Sequence, residues 1–249
     1  MAQRRSEPAQ RYDIVYGIHP VIELLKAKRR KVVAIYTTRP EPKAWGEVAR
    51  HVPKYVKVNH ASPKGLDTIA GTPDHQGVVA HASPYPYRHK EFNPEKDRFL
   101  LLLDRIQDPR NLGAILRTAY ATGVDGVLLS QKSSASLTPT ALKAAAGLAE
   151  HLQIMLVPSG IAAAKMLSDD GYHLYPAAIG PKSKNLLEIK FEEPLCIIIG
   201  SEGTGISREL LSVGTCIQLP QRTPDISYNA SVAAGILLFW VATRCSKLA

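Results

Sequence analysis

The sequence predicts an α/β protein in two parts: a small mixed α/β domain, and behind it a larger one built on a parallel sheet. Three observations carry this. Phe99-Leu-Leu-Leu-Leu103, Gly126-Val-Leu-Leu129 and Leu195-Cys-Ile-Ile-Ile-Gly200 are unbroken apolar runs of strand length, the pattern of strands buried on both faces. Helical patterns lie between them, as the crossovers of a parallel sheet require. Between Ser83 and Arg98, Pro84, Pro86 and Pro94 stand among Tyr85, Tyr87, Arg88, His89 and Lys90, too much proline to continue an element. The chain therefore reads as a polar tail (1–11), a first domain (12–83), a semi-rigid linker (84–98) and a second domain (99–249).

Charge separates the same two parts. Of the net +9, residues 1–98 hold 18 Lys and Arg against 10 Asp and Glu, while residues 99–249 hold 13 against 12. A basic domain before a nearly neutral one suggests a module that holds a polyanion beside a site that does chemistry, although a basic surface also serves solubility alone. Cys196, Cys216 and Cys245 are odd in number and unclustered, which suggests neither a disulfide framework nor a metal site. No apolar run approaches the 18 or so residues of a membrane span, and the N-terminus lacks a secretion signal. Cytoplasm is the expected location, with an organelle as the alternative if the short basic N-terminus is a targeting stub.

In the first domain Gly17-Ile-His-Pro20 opens a helix through Leu25, with Pro20 suited to a first helical position. Its end carries Lys26, Lys28, Arg29, Arg30 and Lys31. Cations suit a helix C-terminus, but five in six residues exceed that need, and Lys28 to Lys31 become candidates for phosphate contact. Strand Val32–Tyr36, a helix over Trp45–His51, strand Tyr55–Val58, a helix over Leu66–Ala70 and strand Gly77–Ala80 complete a small α/β sandwich. Asp74-His75-Gln76-Gly77 reads as a polar turn before the last strand. The aromatic and basic residues of the linker are of the kind that touch RNA bases, and also of the kind linkers contain.

In the second domain strand Phe99–Leu103 runs into the loop Asp104–Asn111, then a helix over Leu112–Ala121 bearing Arg117. Asn111 suits a helix cap. Strand Gly126–Leu129 follows, then a helix over Thr138–Glu150, whose Ala144-Ala-Ala-Gly147 lets a second helix approach closely. Strand Ile154–Val157, a helix over Ile161–Leu167 and a strand from His173 to Ile179, ending at Gly180, lead to Leu195–Gly200. That strand breaks into Ser201-Glu-Gly-Thr-Gly205 before a helix-like Ile206–Leu211. Strand Cys216–Leu219 stops at Pro220, and a polar loop ending Ser227-Tyr-Asn-Ala-Ser231 leads into a helix over Val232–Val241. The two loops are expected to meet where neighbouring strands end, the place where open α/β sheets bind ligands.

Gly200 to Gly205 has P-loop glycine spacing, but Ile206 stands where a phosphate-binding lysine would be needed. Glu202 occupies the second glycine position of the dinucleotide pattern, where a carboxylate would repel a pyrophosphate. The loop is thus either plain punctuation between strand and helix or the floor of a site for a ligand without phosphates.

Three segments together resemble, in order and spacing, the three motifs of the SpoU (TrmH) family of RNA ribose 2'-O-methyltransferases in the SPOUT superfamily. They are Asp108-Pro-Arg-Asn-Leu-Gly-Ala-Ile-Leu-Arg-Thr-Ala119, Ile199-Gly-Ser-Glu-Gly-Thr-Gly205, and Leu219-Pro220 through Ser227-Tyr-Asn-Ala-Ser231. Tyr16-Gly-Ile-His19 and His75-Gln-Gly77 resemble the substrate-binding domain of the subgroup that methylates a 23S rRNA guanosine ribose. The resemblance implies a C-terminal trefoil knot, S-adenosyl-L-methionine as cofactor, RNA as substrate, and a homodimer with no metal and no membrane. It places Gly180, Ile199, Gly200, Gly205, Leu219, Tyr228 and Asn229 at the cofactor. Asn111, Arg117, Glu202, Ser227 and Asn229 match catalytic positions, and Lys28, Arg29, Arg30, Lys31, His75, Gln76 and Arg110 fall to RNA binding. Two departures stand out: Tyr228 replaces the usual Leu, and Gln221-Arg222-Thr223 lacks the usual glycine. The alternatives are a tRNA or other rRNA 2'-O-methyltransferase, or a catalytically weakened RNA-binding ribosome-assembly factor.

Overall fold

A computed structural model describes residues 12–201, 203–223, 227–245 and 247–248. The chain forms two compact units that meet in sequence at Pro86 and Tyr87.

The first unit is a four-stranded sheet in the order β1-β4-β2-β3, with β1 Asp13–Tyr16, β2 Val32–Thr37, β3 Lys57–His60 and β4 Val78–Ala82. β4 is antiparallel to both neighbours, while β2 and β3 are parallel. Helix α1 (Ile18–Ala27) begins two residues before Pro20, so the proline stands inside the first turn, where its missing N–H costs nothing. Its buried residues Ile18, Val21, Ile22, Leu24 and Leu25 form one apolar stripe, and Lys28 ends it in the left-handed conformation (φ 54°). The short α2 (Trp45–Ala49) follows β2. Helix α3 (Pro63–Ala70) is capped by Ser62, whose hydroxyl accepts from Gly65 N, and its Leu66 and Ala70 pack with Tyr16 and Val79.

Here the structure corrects the reading of Arg30. Its side chain is buried in an ion pair with Asp13 (2.7 Å) and donates to the Ser83 carbonyl (2.7 Å), so it ties the unit together and is closed to phosphate. Asp13 also accepts from Tyr85 N (3.0 Å). Replacing Asp13 with alanine leaves a buried guanidinium without its anion. The expected cost is about 2 kcal/mol, discounted because the carboxylate is partly exposed. In a unit of this size that lowers the melting midpoint by roughly 10 °C. Thermal unfolding of the full chain checks this.

The proline-rich stretch is not a free linker. Tyr85 and Pro86 belong to the first unit, while Arg88 N donates to Ile154 O (2.7 Å) and Phe92 is buried against Gly126 in the core of the second unit. Proline density signals where regular elements stop, and says nothing of what the stretch packs on.

The second unit is a five-stranded, all-parallel sheet in the order β7-β6-β5-β10-β8: β5 Phe99–Leu103, β6 Gly126–Ser130, β7 Ile154–Val157, β8 His173–Pro176 and β10 Leu195–Ile199. Every residue of β5, β6 and β10 is buried, as their unbroken apolar runs require. Helix α4 (Pro109–Ala121) starts at an Asp108 cap with Pro109 in its first turn. Gly113 on α4 lies so close to Ala141 and Ala144 of helix α5 (Pro139–Ala144) that a β-carbon there would collide with them. Helix α6 is Gly160–Asp169, and helix α7 (Ala230–Arg244) is longer than the sequence suggests.

Three expectations fail on local geometry. The helix over 138–150 stops at Ala144, because Ala146 and Gly147 take positive φ (51° and 82°) and a 3-10 turn over Leu148–His151 follows. Ile206–Leu211 is not an α-helix: only a 3-10 turn, Leu210–Ser212, forms, and Ile206 and Leu210 are anchored in the core. The strand at Cys216 is two residues, β11 (Ile217–Gln218). It pairs with β9 (Lys184–Asn185) and, through an Ala177–Ile217 bridge, lies alongside the continuation of β8. It is not a neighbour of β10.

Candidate functional site

The carboxyl ends of three strands nevertheless converge. Ala177 to Ile179 beyond β8, Ile199 to Ser201 and Gly203 to Ile206 after β10, and Gln218, Leu219 and Gln221 around and after β11 line one cavity of about 410 Å³, with Ser227, Tyr228 and residues of α7 closing it.

The glycine loop is shaped by its own backbone. Ser201 and Gly205 exchange two N–H···O bonds (3.1 and 3.0 Å), and Ser201 Oγ meets Thr204 Oγ1 at 2.8 Å. Gly205 has φ 63°. Gly200 packs so tightly on the returning Gly205 backbone that any side chain there would collide with it. On the opposite wall Asn229 caps α7, its Oδ1 accepting from Ser231 N (2.9 Å) and Ser231 Oγ (2.7 Å). Ala230 and Ala233 on the first turn of α7 are small enough to leave the cavity open beneath them.

Of the positions expected at the cofactor, Ile199, Gly200, Gly205, Leu219 and Tyr228 line the cavity, and so does Ser227. Two do not. Gly180 lies just past the lining residue Ile179 and turns its N–H toward Gln218 Oε1 (3.5 Å), and Asn229 is engaged in its cap. Glu202 lies outside the described residues. Asn111 stands in the first turn of α4 and Arg117 two turns in, exposed; neither is a lining residue. Arg110 and Arg117, seven residues apart, share one face of the helix, and both are exposed.

In the first unit, Lys28 and Lys31 are exposed, and Arg29 lies over the Tyr85 ring (5.6 Å). His75 is corrected alongside Arg30, while Gln76 is exposed. His75 is buried, with Nε2 on Asp67 (3.0 Å) and Nδ1 accepting from Gly77 N (2.9 Å). Gln76 Oε1 accepts from Ile18 N (3.2 Å) at the start of α1, and its φ is 54°. Both side chains build the turn, and their ring and amide groups are engaged in holding it.

Sequence reasoning missed Arg105, Gln221 and the Ala177–Ile179 wall. Arg105 sits at φ 59° just past β5, pairs with buried Asp104 (3.1 Å) and donates to the Gly205 carbonyl (3.2 Å). It thus steadies the glycine loop from the neighbouring strand. No local motif marks it. Gln221 had a signal, its place in the loop that departs from the family pattern.

The lining is chemically specific. None of the described lining residues is charged, which suits a ligand without phosphate groups and does not set a second cation against a sulfonium. Gln221 contributes an amide nitrogen that is buried with no hydrogen-bond partner among the described residues, a donor of the kind a bound polar ligand can satisfy. Adenosine and amino-acid groups flanking a sulfonium match this donor set and volume, so the residues present fit S-adenosylmethionine.

Comparison with known proteins agrees. The SpoU rRNA Methylase family pattern matches residues 98–239. The chain belongs to the SpoU rRNA methylase family. Residues 14–88 match the RNA 2'-O ribose methyltransferase substrate-binding domain. The 23S rRNA (guanosine-2'-O-)-methyltransferase RlmB of Acinetobacter baylyi is 34% identical over 238 residues, covering 90% of this chain and 94% of that protein. An uncharacterized tRNA/rRNA methyltransferase of Synechocystis is also 34% identical, over 94% of this chain, which spans 63% of that relative's length. Among solved structures, an AdoMet-bound rRNA methyltransferase from Sinorhizobium meliloti superposes with TM-score 0.78 at 24% identity, over 96% of this chain and 89% of its own. This SpoU methylase thus has the parallel-sheet fold of its family. The enzyme class that the motifs suggested, S-adenosylmethionine-dependent RNA 2'-O-methylation, stands with the membership. No helix among the described residues is long and apolar enough to cross a membrane.

Proposed function

We propose that this chain methylates the ribose 2'-oxygen of a guanosine in 23S (large-subunit) rRNA. The observation that carries the reading is the glycine-floored cavity, uncharged among its described lining residues, at the carboxyl ends of β8, β10 and β11 in a chain whose two units match the two parts of a SpoU methylase. The substrate is inferred from the Acinetobacter relative, matched along nearly its whole length.

Bound S-adenosylmethionine would supply a methyl group on a sulfonium for transfer to the ribose oxygen, leaving a neutral thioether, with the hydroxyl proton lost to solvent. The chain's own residues position and stabilise. Backbone groups of Ile199–Ser201, Gly203–Gly205 and Leu219 would hold the donor, and Tyr228 closes the wall, its hydroxyl on Pro220 O (3.2 Å). Arg117 cannot act as a literal base, because a guanidinium stays charged in proteins. It stabilises the developing alkoxide instead, with Arg110 on the same helix face holding an RNA phosphate. Asn111 and Ser227 orient the substrate, Asn229 shapes the wall by capping α7, and Glu202, outside the described residues, takes the catalytic role that its motif position implies. Lys28, Arg29 and Lys31 hold RNA phosphates on the first unit.

The working molecule in this reading is a homodimer, its C-terminal segment threaded in the family's trefoil knot. Val232, Ile236 and Phe239 form an exposed apolar face on α7, spaced four and three residues apart, beside a groove lined by Leu186, Leu187, Pro220 and Trp240. A second copy covers it. Phe239→Glu is expected to give monomers in sedimentation, where the unaltered chain runs as a dimer.

Transfer of tritiated methyl from S-adenosylmethionine to purified rRNA and tRNA tests the whole reading. Label on a guanosine ribose of 23S rRNA is expected. Label on tRNA alone would move the substrate, and none on either RNA would leave a binding protein.

A further inference from the structure

The first unit has an open strip on its sheet that the reading above does not use. In register across the four strands run Ile14, His81, Ala34 and Lys57. The next row on that face is Tyr16, Val79, Tyr36 and Asn59, because side chains alternate along each strand. The two rows differ. Leu66 and Ala70 of α3 pack with Tyr16 and Val79, and Ile14 and Tyr36 lie half-buried against them, whereas His81 and Ala34 are half-buried outside that cluster and Lys57 is exposed. On the opposite face Val15, Ala80 and Ile35 have no exposure at all, so the strip is a local opening in a well-packed sheet.

The strip is bordered by rings. Tyr12, 37% exposed, lies nearly parallel to His81, with centroids 6.3 Å apart and planes 10° apart. Tyr36 meets His81 from the covered side at 5.0 Å and 56°. Burial lowers the pKa of His81, which keeps the ring neutral near pH 7. Ala34 leaves a flat floor between His81 and Lys57. Four strands at about 4.8 Å spacing make the row roughly 14 Å wide, room for one or two bases.

We propose that this strip is a stacking platform for unpaired bases of the RNA substrate, with Lys57 at the phosphate of the stacked nucleotide. It rests on the reading of the chain as an RNA-modifying enzyme. Charge favours this occupant: residues 12–86 carry eleven Lys and Arg against six Asp and Glu. Chemistry does too. Ile14 is the one large aliphatic in the row, too little for an apolar protein partner, while aromatic rings, a small floor and a cation are what base stacking uses.

The test compares binding of the full chain to a labelled single-stranded RNA and to a duplex of the same length, across a salt series. Tyr12→Leu keeps apolar bulk and removes a ring face. It is expected to weaken single-strand binding about tenfold, with the salt slope and duplex binding unchanged, since stacking of one base on an aromatic is worth ~1–3 kcal/mol. Lys57→Gln is expected to lower the salt slope by about 0.7, the contribution of one phosphate contact on a single strand. Thermal unfolding of both variants checks that the unit stays folded. Wild-type single-strand affinity in Tyr12→Leu, or an equal loss on single strand and duplex, overturns the platform. An unaltered chain that binds neither RNA overturns the RNA reading itself, and the two failures are distinct.

Discussion

Replacing Arg117 with lysine is expected to lower methyl transfer at least 100-fold while S-adenosylhomocysteine binds as before. The guanidinium offers a planar fork of donors, and lysine keeps the charge but loses the fork, so an oxygen and a phosphate can no longer be held together. Removing one donor aimed at a developing oxyanion typically costs 10²–10³ in rate. Arg117 is exposed on α4 and does not line the cavity, so the donor site should not register the change. Single-turnover kinetics with calorimetry separate the two effects. Near-normal turnover in Arg117→Lys would remove this residue from the chemistry, and a parallel loss of cofactor affinity would make it structural.

Gly200→Ala is expected to weaken S-adenosylhomocysteine binding at least 100-fold, with RNA binding by the first unit retained. The added β-carbon would overlap the Gly205 carbonyl and stand 2.5 Å from Ile206 N. Those are backbone atoms of a closed loop, tied by the Ser201–Gly205 bonds and by the Arg105 donation to Gly205 O, so no single side chain can swing away. The loop must open as a whole, and the cavity floor goes with it. Gly203→Ala is the control: among the described residues nothing beyond its chain neighbours lies within 4 Å of its β-carbon position, and affinity should stay within about threefold of wild type. Equal affinities for the two variants would mean that the loop's closed shape is not what binds.

Much of this was readable from residues alone. Apolar runs without alternation identified β5, β6 and β10, because a strand covered on both faces has no polar side to show. Proline and glycine punctuation found the loops, but α4 starts three residues before the expected Leu112, because Asp108 and not Asn111 caps it and Pro109 fits its first turn. Where reading failed, the chain was balanced between local alternatives. Ile206–Leu211 has a helical composition, but Ile206 and Leu210 are both drawn into the core and only the short 3-10 turn Leu210–Ser212 forms. Arg30 and His75 look like members of a basic or polar cluster, and nothing near them in sequence shows that Asp13 and Asp67 will claim them.

The sequence by itself determined the α/β class, the two-part charge distribution and the three motif segments, since these depend on periodicity, composition and short-range turn chemistry. Only the tertiary structure decided which cations remain free for phosphate, which side chains wall the cavity, and that β11 closes it from beyond β8 without touching β10. Those outcomes depend on pairings between residues 17 to 100 positions apart, such as Arg30 with Asp13 and Arg105 with Gly205. A partner brought in from that distance is set by the packing of whole elements, and local sequence does not encode it.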